Sequence, residues 1–256
     1  TSSLLQKEIA ESRNEKPNND SLYPKFFRDC DTRGRKKRDA NAYELDELNA
    51  FIISNYRGYE RASLLLIVKI INEAGGRPIS MSSLIRGQFH KEIVDREQRE
   101  TFDVVPSKAK QGNTMPIRFP YSTTLHVMTF IKNDLELFLD ENKVVGYEGH
   151  LFLNPNTLKP LSAANISKIF SEITTELGWP KGKGIYSLRH KFSGDSYDKH
   201  LAIAVELGFD ASEASIALQM QKDMTHRAGG SLDDYIEGRN RLGHKTEANK
   251  KDLQIK

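Results

Sequence analysis

Five side chains spread along the sequence have the types needed to break and rejoin a phosphodiester: Arg77, Lys108, Arg189, His226 and Tyr235. A phosphodiester resists attack because it is negatively charged, and its transition state gathers still more charge on the equatorial oxygens. A guanidinium meets that charge with paired hydrogen bonds, a lysine can protonate the departing oxygen, and a tyrosine can form a covalent intermediate. We expect such chemistry to need no cofactor, neither a metal ion nor ATP.

Each of the two arginines lies at a predicted helix boundary. Residues 74–78 read Ala-Gly-Gly-Arg-Pro, so that two glycines end a long apolar helix and expose Arg77 beside the break. Residues 186–192 read Tyr-Ser-Leu-Arg-His-Lys-Phe and place Arg189 at the start of an amphipathic helix, near backbone N–H groups that favour an anion. Two guanidiniums held in this way can clamp one phosphate.

His226 and Tyr235 lie nine residues apart, with Gly229-Gly230 and Ser231 between them. The glycines are expected to end one helix and the serine to cap the next. A turn at this place would let an imidazole and a phenol converge.

Together these segments resemble the tyrosine recombinase (phage integrase) family. The Gly-Gly-Arg77 turn resembles that family's first-arginine box, and Leu188-Arg189-His190 resembles its second. Residues 107–117 resemble the β-hairpin that carries the family's lysine; Lys108 is the better match and Lys110 the alternative. His226 and Tyr235 then occupy the positions of the last histidine and the nucleophile.

The resemblance covers about residues 41 to 240 and implies a function. It implies a site-specific recombinase or integrase in which Tyr235 attacks DNA, giving a 3′-phosphotyrosine and a free 5′-hydroxyl. Lys108 would protonate that 5′-oxygen, and His226 would bind the phosphate or orient the phenol. It also implies double-stranded DNA as substrate, a homo-tetramer on DNA, accessory DNA-bending proteins as candidate partners, and a role in integrating or excising a mobile element.

Several positions depart from the family pattern. Tyr186 stands where the family usually has a histidine, and a phenol is a poor base near neutral pH. His190, beside Arg189, is a second auxiliary candidate. Ser80 and Thr225 replace an acidic residue and a glycine, and the stretch Ser193–Asp210 carries extra residues.

These departures leave two alternative functions open. One is a catalytically weakened DNA-binding or regulatory relative, and the other is a type IB topoisomerase-like DNA relaxing enzyme. The individual residues also have purely structural alternatives, since Arg189 could pair with Asp195 or Asp198 and Tyr235 could pack its ring in the core.

Composition sets the broad class. The chain has 256 residues, 29% charged and 38% hydrophobic, as in a soluble globular protein. No stretch has the apolar length of a membrane span, the N-terminus lacks the apolar segment of a signal peptide, and a single cysteine, Cys30, excludes internal disulfides. We therefore expect a cytoplasmic protein with no membrane partner, and the resemblance to the tyrosine recombinases implies that it is associated with the nucleoid.

The net charge of +3 does not by itself indicate nucleic-acid binding, but the cations are clustered. Clustered cations of this kind contact phosphates, although a solvated basic linker remains the alternative for residues 33–38. The candidate DNA contacts are Arg33, Arg35, Lys36, Lys37, Arg38, Lys181 and Lys183.

The apolar pattern predicts a mainly α fold with a small antiparallel β-hairpin, an α+β class. One predicted helix begins after Asn41, with Glu44 completing a capping box, and a second covers the apolar stretch 60–73. A third is marked by Leu125, Met128, Ile131, Leu135 and Phe138, and a fourth begins at Ser162. Residues 101–106 and 114–120 are predicted strands. Residues 1–40 are predicted to be a polar basic linker, residues 41–240 the catalytic domain and residues 241–256 a polar tail. A separate N-terminal DNA-binding domain is expected to be missing.

Overall fold

The structure, a computed structural model, describes residues 39–89, 101–107 and 116–223, all within the compact unit that spans residues 38–256. This part is mainly helical with one two-stranded antiparallel sheet, as predicted. Its α-helices are α1 (Ala42–Asn55), α2 (Gly58–Ala74), α3 (Pro78–Met81), α4 (Tyr121–Phe130), α5 (Glu136–Glu141), α6 (Ala163–Glu176), α7 (Ile185–Leu207) and α8 (Glu213–Asp223). The strands are β1 (Thr101–Val104) and β2 (Ile117–Pro120); a 3-10 turn spans Arg86–Gln88 and a π-helical turn, Ile131–Leu135, joins α4 to α5.

The helix starts agree with the local capping signals. Asn41 Oδ1 accepts a 2.8 Å hydrogen bond from Glu44 N, and Asn41 N donates one of 2.8 Å to the Glu44 carboxylate. Ser162 Oγ likewise accepts from Asn165 N at 3.1 Å. Each cap satisfies N–H groups that have no partner inside the helix, which is why these two starts could be predicted.

Helix α2 is the centre of the core. Ile67, Ile70 and Ile71 are fully buried, and Gly75 ends the helix in the left-handed conformation at φ 66°. Tyr59, near the start of α2, stacks on Phe138 with ring centroids 4.1 Å apart, and its hydroxyl accepts a 2.8 Å hydrogen bond from Leu153 N. Burial raises the pKa of the Tyr59 phenol to about 12.

The two strands pair in antiparallel register, with Thr101 opposite Pro120 and Val104 opposite Ile117. The first strand is shorter than the predicted 101–106, because Pro106 has no N–H to donate to the ladder. The tip of the hairpin lies outside the described residues.

The apolar pattern predicted for the fourth helix was wrong in one respect. Leu125, placed on the same face as Leu135 and Phe138, is 40% exposed, whereas Val127 and Phe130 are buried. These three residues precede the π-helical turn, and at about 100° per residue an α-helix puts Leu125 on the side opposite Val127 and Phe130.

Candidate active site

Arg77 lies in the tight turn between α2 and α3. It has an extended backbone (φ −92°, ψ 154°), and Pro78 follows it as the first residue of α3. The Arg77 carbonyl accepts from Met81 N at 2.9 Å, which fixes the start of the short helix. The side chain is half-buried, so part of it remains accessible. This agrees with the predicted position beside a helix break.

Arg189 lies one turn further into its helix than the sequence pattern suggested. Helix α7 begins at Ile185, and Arg189 is 4% exposed. A guanidinium keeps its charge even when it is buried. Asp195, one of its two predicted structural partners beside Asp198, lies 2.5 Å from Lys191 Nζ within the same helix.

Close backbone packing brings the two arginine segments together. A Cβ atom at Gly75 would collide with the ring of Phe192, which lies three residues after Arg189 in α7. A Cβ at Gly76 would collide with Met81 and would lie 3.8 Å from Ile117 Cδ1 of β2. The turn that carries Arg77 is therefore packed between α7 and the strand that leads out of the hairpin.

Lys108 and Lys110 lie outside the described residues, but the base of their hairpin is described. Ser107 Oγ donates a 3.1 Å hydrogen bond to the carbonyl of Ser83, just after α3. Gln88 Nε2 donates one of 2.7 Å to the carbonyl of Val105. Because consecutive Cα atoms are about 3.8 Å apart, the chain enters the lysine segment next to the region that follows Arg77.

His226 and Tyr235 also lie outside the described residues, three and twelve positions beyond the end of α8. That end is held by polar contacts of Asp223. Its carboxylate accepts from Ser196 Oγ at 2.8 Å, lies 2.7 Å from His200 Nε2, and lies 3.7 Å from Arg118 Nη1. The three residues that follow Asp223, up to His226, can span at most roughly 11 Å.

The auxiliary candidates Tyr186 and His190 both lie in the first part of α7. Tyr186 is 51% exposed and lies three residues before Arg189, on the same side of the helix. His190 is half-buried. Both therefore lie close to Arg189 along the helix.

The two described basic candidates differ. Lys181 is exposed, whereas Lys183 Nζ lies 2.5 Å from Glu44 Oε1 and 6.0 Å from the centroid of the Trp179 ring. The Lys183 side chain is only 13% exposed, so its charge is matched within the protein, between α1 and the turn before α7. Residues 33–38 lie outside the described part of the chain.

Sequence analysis did not single out the residues that join these segments. Phe192 looked like an ordinary apolar residue, and Asp223, Ser196, His200 and Arg118 are far apart in the sequence. One local signal was present: Ser196 and His200 are four residues apart and so share a helix face. Nothing in the sequence indicated which acid this face would meet.

Two further observations concern the described residues only. Across 39–89, 101–107 and 116–223, no three histidine, cysteine or acidic side chains are grouped as a metal ion would require. Over the same ranges, every helix is too short or too polar to cross a bilayer.

No protein-family model and no curated protein sequence matches this chain. Solved structures do match it in fold. The XerA recombinase has a TM-score of 0.54 at 13% identity, covering 84% of this chain and 65% of that one. The XerH site-specific recombinase, in a post-cleavage complex with palindromic difH substrate, has 0.57 at 20%, covering 83% and 54%.

A Tn1549 transposon integrase in complex with a circular intermediate DNA has a TM-score of 0.53 at 15% identity, covering 79% of this chain and 62% of that one. This chain thus spans between about half and two thirds of the length of these solved proteins. At such identities the likeness concerns the fold. The chain has the fold of the tyrosine recombinase catalytic domain.

Proposed function

We propose that this chain is the catalytic part of a site-specific DNA recombinase or integrase that cuts and rejoins strands through a phosphotyrosine. The observation that carries the proposal is the packing of Gly75 against Phe192, which sets the Arg77 turn beside the helix of Arg189. The fold supports it further, because XerH bound to difH and the Tn1549 integrase bound to circular intermediate DNA share this fold.

In the proposed reaction, Arg77 and Arg189 bind the non-bridging oxygens of the scissile phosphate and neutralise the charge that builds up there. The Tyr235 phenol gives up its proton to solvent as its oxygen attacks phosphorus, a new P–O bond forms, and the bond from phosphorus to the 5′-oxygen breaks. Lys108, or Lys110 in its place, gives that oxygen a proton. His226 hydrogen-bonds the phosphate or orients the phenol. Attack by a 5′-hydroxyl on the phosphotyrosine reverses the step and releases Tyr235.

The proposed DNA contacts lie around this centre. The exposed Lys181, ahead of α7, and the basic run of residues 33–38 would bind backbone phosphates. Lys183 forms an ion pair with Glu44 and would stabilise the turn before α7 instead of binding DNA. We extend the proposal to a homo-tetramer acting on two duplexes in the movement of a mobile element, with accessory DNA-bending proteins as candidate partners.

The proposal is tested by covalent trapping. The protein is incubated with a pool of end-labelled nicked duplexes of randomised sequence, which prevent religation, and the products are separated by denaturing electrophoresis. We expect a DNA-linked protein band for the natural chain and for Tyr43→Phe, an exposed tyrosine of α1 that serves as a matched control. We expect no band for Tyr235→Phe. A band of equal strength in Tyr235→Phe would overturn the assignment of the nucleophile.

A second candidate function is a DNA-binding relative with weakened catalysis. It is favoured by Tyr186, which stands on the Arg189 side of α7 in the place of the family's histidine. This candidate predicts DNA affinity that falls steeply with salt, without any covalent band. Binding measured at two salt concentrations on the same duplexes separates it from a protein that does not bind DNA at all.

A further inference from the structure

The C-terminal end of α7 exposes large apolar side chains. Ile203, Val205, Leu207 and Phe209 are all exposed, the last three by more than half of their surface. None of the four belongs to the small cluster of apolar side chains that is buried between α7 and α8. Single exposed apolar residues are common on protein surfaces, but four of them within seven residues form a patch. Residues 203–210 are called the α7 tip below.

Backbone hydrogen bonds fix the shape of the α7 tip. Gly208 ends the helix in the left-handed conformation at φ 67°, and its N–H donates to the carbonyl of Val205 at 3.4 Å. The N–H of Phe209 donates to the carbonyl of Ala204 at 2.8 Å. This pair of bonds is a common way for a helix to end, and it satisfies two carbonyls of the last turn. The exposed apolar side chains therefore stand on a defined backbone.

The α7 tip is also negatively charged. Glu206 is exposed in the last turn of α7, and that turn contains no basic residue. Asp210 follows the helix, and hydrogen bonds from Ser212, donated by Oγ at 2.7 Å and by N at 2.9 Å, lower the pKa of its carboxyl group. The C-terminal end of a helix adds roughly half an elementary negative charge. Between Lys199 and Lys222 the sequence has three acidic residues and neither lysine nor arginine.

These features are unfavourable for the chain on its own. An acidic side chain in the last turn of a helix is repelled by the negative end of the helix dipole. Apolar side chains that stay in water contribute nothing to the core. Departures of this kind from the local rules of stability are expected where a surface serves binding. A partner that is both apolar and positively charged would relieve both disadvantages.

The sign of the charge decides which partner fits. Like charges repel, so the α7 tip attracts neither the DNA backbone nor an anionic lipid surface. We propose that the α7 tip is a docking surface for a cationic amphipathic helix of another protein. The apolar side of that helix covers Leu207 and Phe209, as amphipathic helices cover apolar surfaces elsewhere. Its lysine or arginine side chains lie against Glu206, Asp210 and the negative end of α7. This inference goes beyond the proposed strand cleavage and does not depend on it.

The first test uses a synthetic probe on the full chain. The probe is an amphipathic helix of leucine and lysine about 15 residues long, and its control has glutamate in place of every lysine. Calorimetry measures the Kd, and amide hydrogen exchange with mass spectrometry locates the contact. We expect the lysine probe to slow exchange about fivefold in peptides covering residues 200–212, with α2 and α5 peptides unchanged. We expect the glutamate probe not to bind, and added salt to weaken binding of the lysine probe.

Four variants separate the apolar and the charged contributions. Phe209→Ser is expected to weaken binding of the lysine probe about tenfold, whereas Leu137→Ser, which changes a similarly exposed residue of α5, leaves the Kd unchanged. Glu206→Lys is expected to weaken binding about tenfold, whereas Glu141→Lys, the same change at the end of α5, keeps the Kd within about twofold. Glu206→Lys is also expected to raise the unfolding temperature, because a cation is favourable at a helix C-terminus. Its loss of binding is then not a loss of fold.

The outcomes decide for or against the proposal. Slower exchange at residues 200–212, together with weaker binding in Phe209→Ser and Glu206→Lys, supports it. It is overturned if the lysine probe does not bind, if the probe slows exchange only elsewhere, or if both variants bind the probe as the natural chain does. A concentration-dependent dimer of the natural chain that Phe209→Ser abolishes, seen by light scattering, would also overturn it, because the occupant of the α7 tip would then be a second copy.

Discussion

Arg77 and Arg189 differ in their surroundings although they are proposed to hold one phosphate. Arg77 stands in a turn and is half-buried, whereas Arg189 is almost fully enclosed in α7. Because Arg77 is the more accessible of the two, it is the better residue for a test of chemistry.

We predict that Arg77→Lys slows adduct formation about a hundredfold to a thousandfold, because an ammonium group cannot make the paired hydrogen bonds of a guanidinium. Single-turnover trapping on the nicked-duplex pool measures the rate, and thermal unfolding checks that the fold is kept. The control is Arg57→Lys: Arg57 donates to carbonyls at the end of α1, including Ile53 O at 3.0 Å. Equal rates for Arg77→Lys and Arg57→Lys would remove Arg77 from the proposed centre.

At the scale of elements, the sequence predicted what local chemistry decides. The caps at Asn41 and Ser162 and the glycine end of α2 depend on neighbours a few residues away, so their positions could be predicted from the sequence. The exposure of Leu125 was not predicted, because the apolar positions taken to mark that helix did not include Val127 and Phe130, which are buried on its other side. The Gly75–Phe192 contact was also hidden, since it depends on how two distant segments pack.

That contact gives a prediction with a closely matched control. Gly75 and Gly208 both end a helix in the left-handed region, at φ 66° and 67°. A Cβ at Gly75 would collide with Phe192, whereas one at Gly208 would have nothing within 4 Å. We expect Gly208→Ala to cost about 1 kcal/mol of unfolding free energy through its backbone conformation alone, and Gly75→Ala about 1–3 kcal/mol more.

Urea unfolding of both variants measures this difference. Adding Phe192→Ala to Gly75→Ala is expected to recover part of the extra cost, because the collision is removed. Equal losses in Gly75→Ala and Gly208→Ala would mean that the Arg77 turn does not pack on α7 as described.

The buried phenol of Tyr59 gives a prediction about pH. Its pKa is raised from 10.0 to about 12 by burial, so between these values the unfolded chain releases a proton that the folded chain keeps. The unfolded state then binds fewer protons, and stability falls as pH rises from 10 towards 12. We expect Tyr59→Phe to lack this part of the loss.

At neutral pH, Tyr59→Phe is expected to cost about 1–3 kcal/mol, because Leu153 N loses its acceptor. Urea unfolding at neutral and alkaline pH measures both effects, with the exposed Tyr43→Phe as control. The same alkaline slope in Tyr59→Phe and the natural chain would contradict the role given to burial.

At the scale of the whole molecule, the described residues form one large core around α2 and a small second cluster between α7 and α8. The large core holds the Arg77 turn and the base of the hairpin, while the small cluster packs α8 against α7.

The sequence allowed the fold to be predicted because helices, caps and the hairpin are local patterns that occur together in one family. The comparison of folds confirms that part. For the proposed site, the sequence predicted only the types of the candidate residues and their order along the chain, and not how they are arranged in space. How the segments of Arg77 and Arg189 come together depends on the contact of Gly75 with Phe192, which no local sequence pattern predicts.

The central claim is that Tyr235 becomes joined to a DNA 3′-phosphate, and identification of the linked residue tests it most directly. The trapped adduct would be digested with nuclease and protease, and the nucleotide-bearing peptide sequenced by mass spectrometry. We expect the nucleotide on Tyr235 through a 3′-phosphate, with a free 5′-hydroxyl on the other DNA fragment. A nucleotide on a different residue, a 5′-linkage, or DNA binding without any linked peptide would contradict the account.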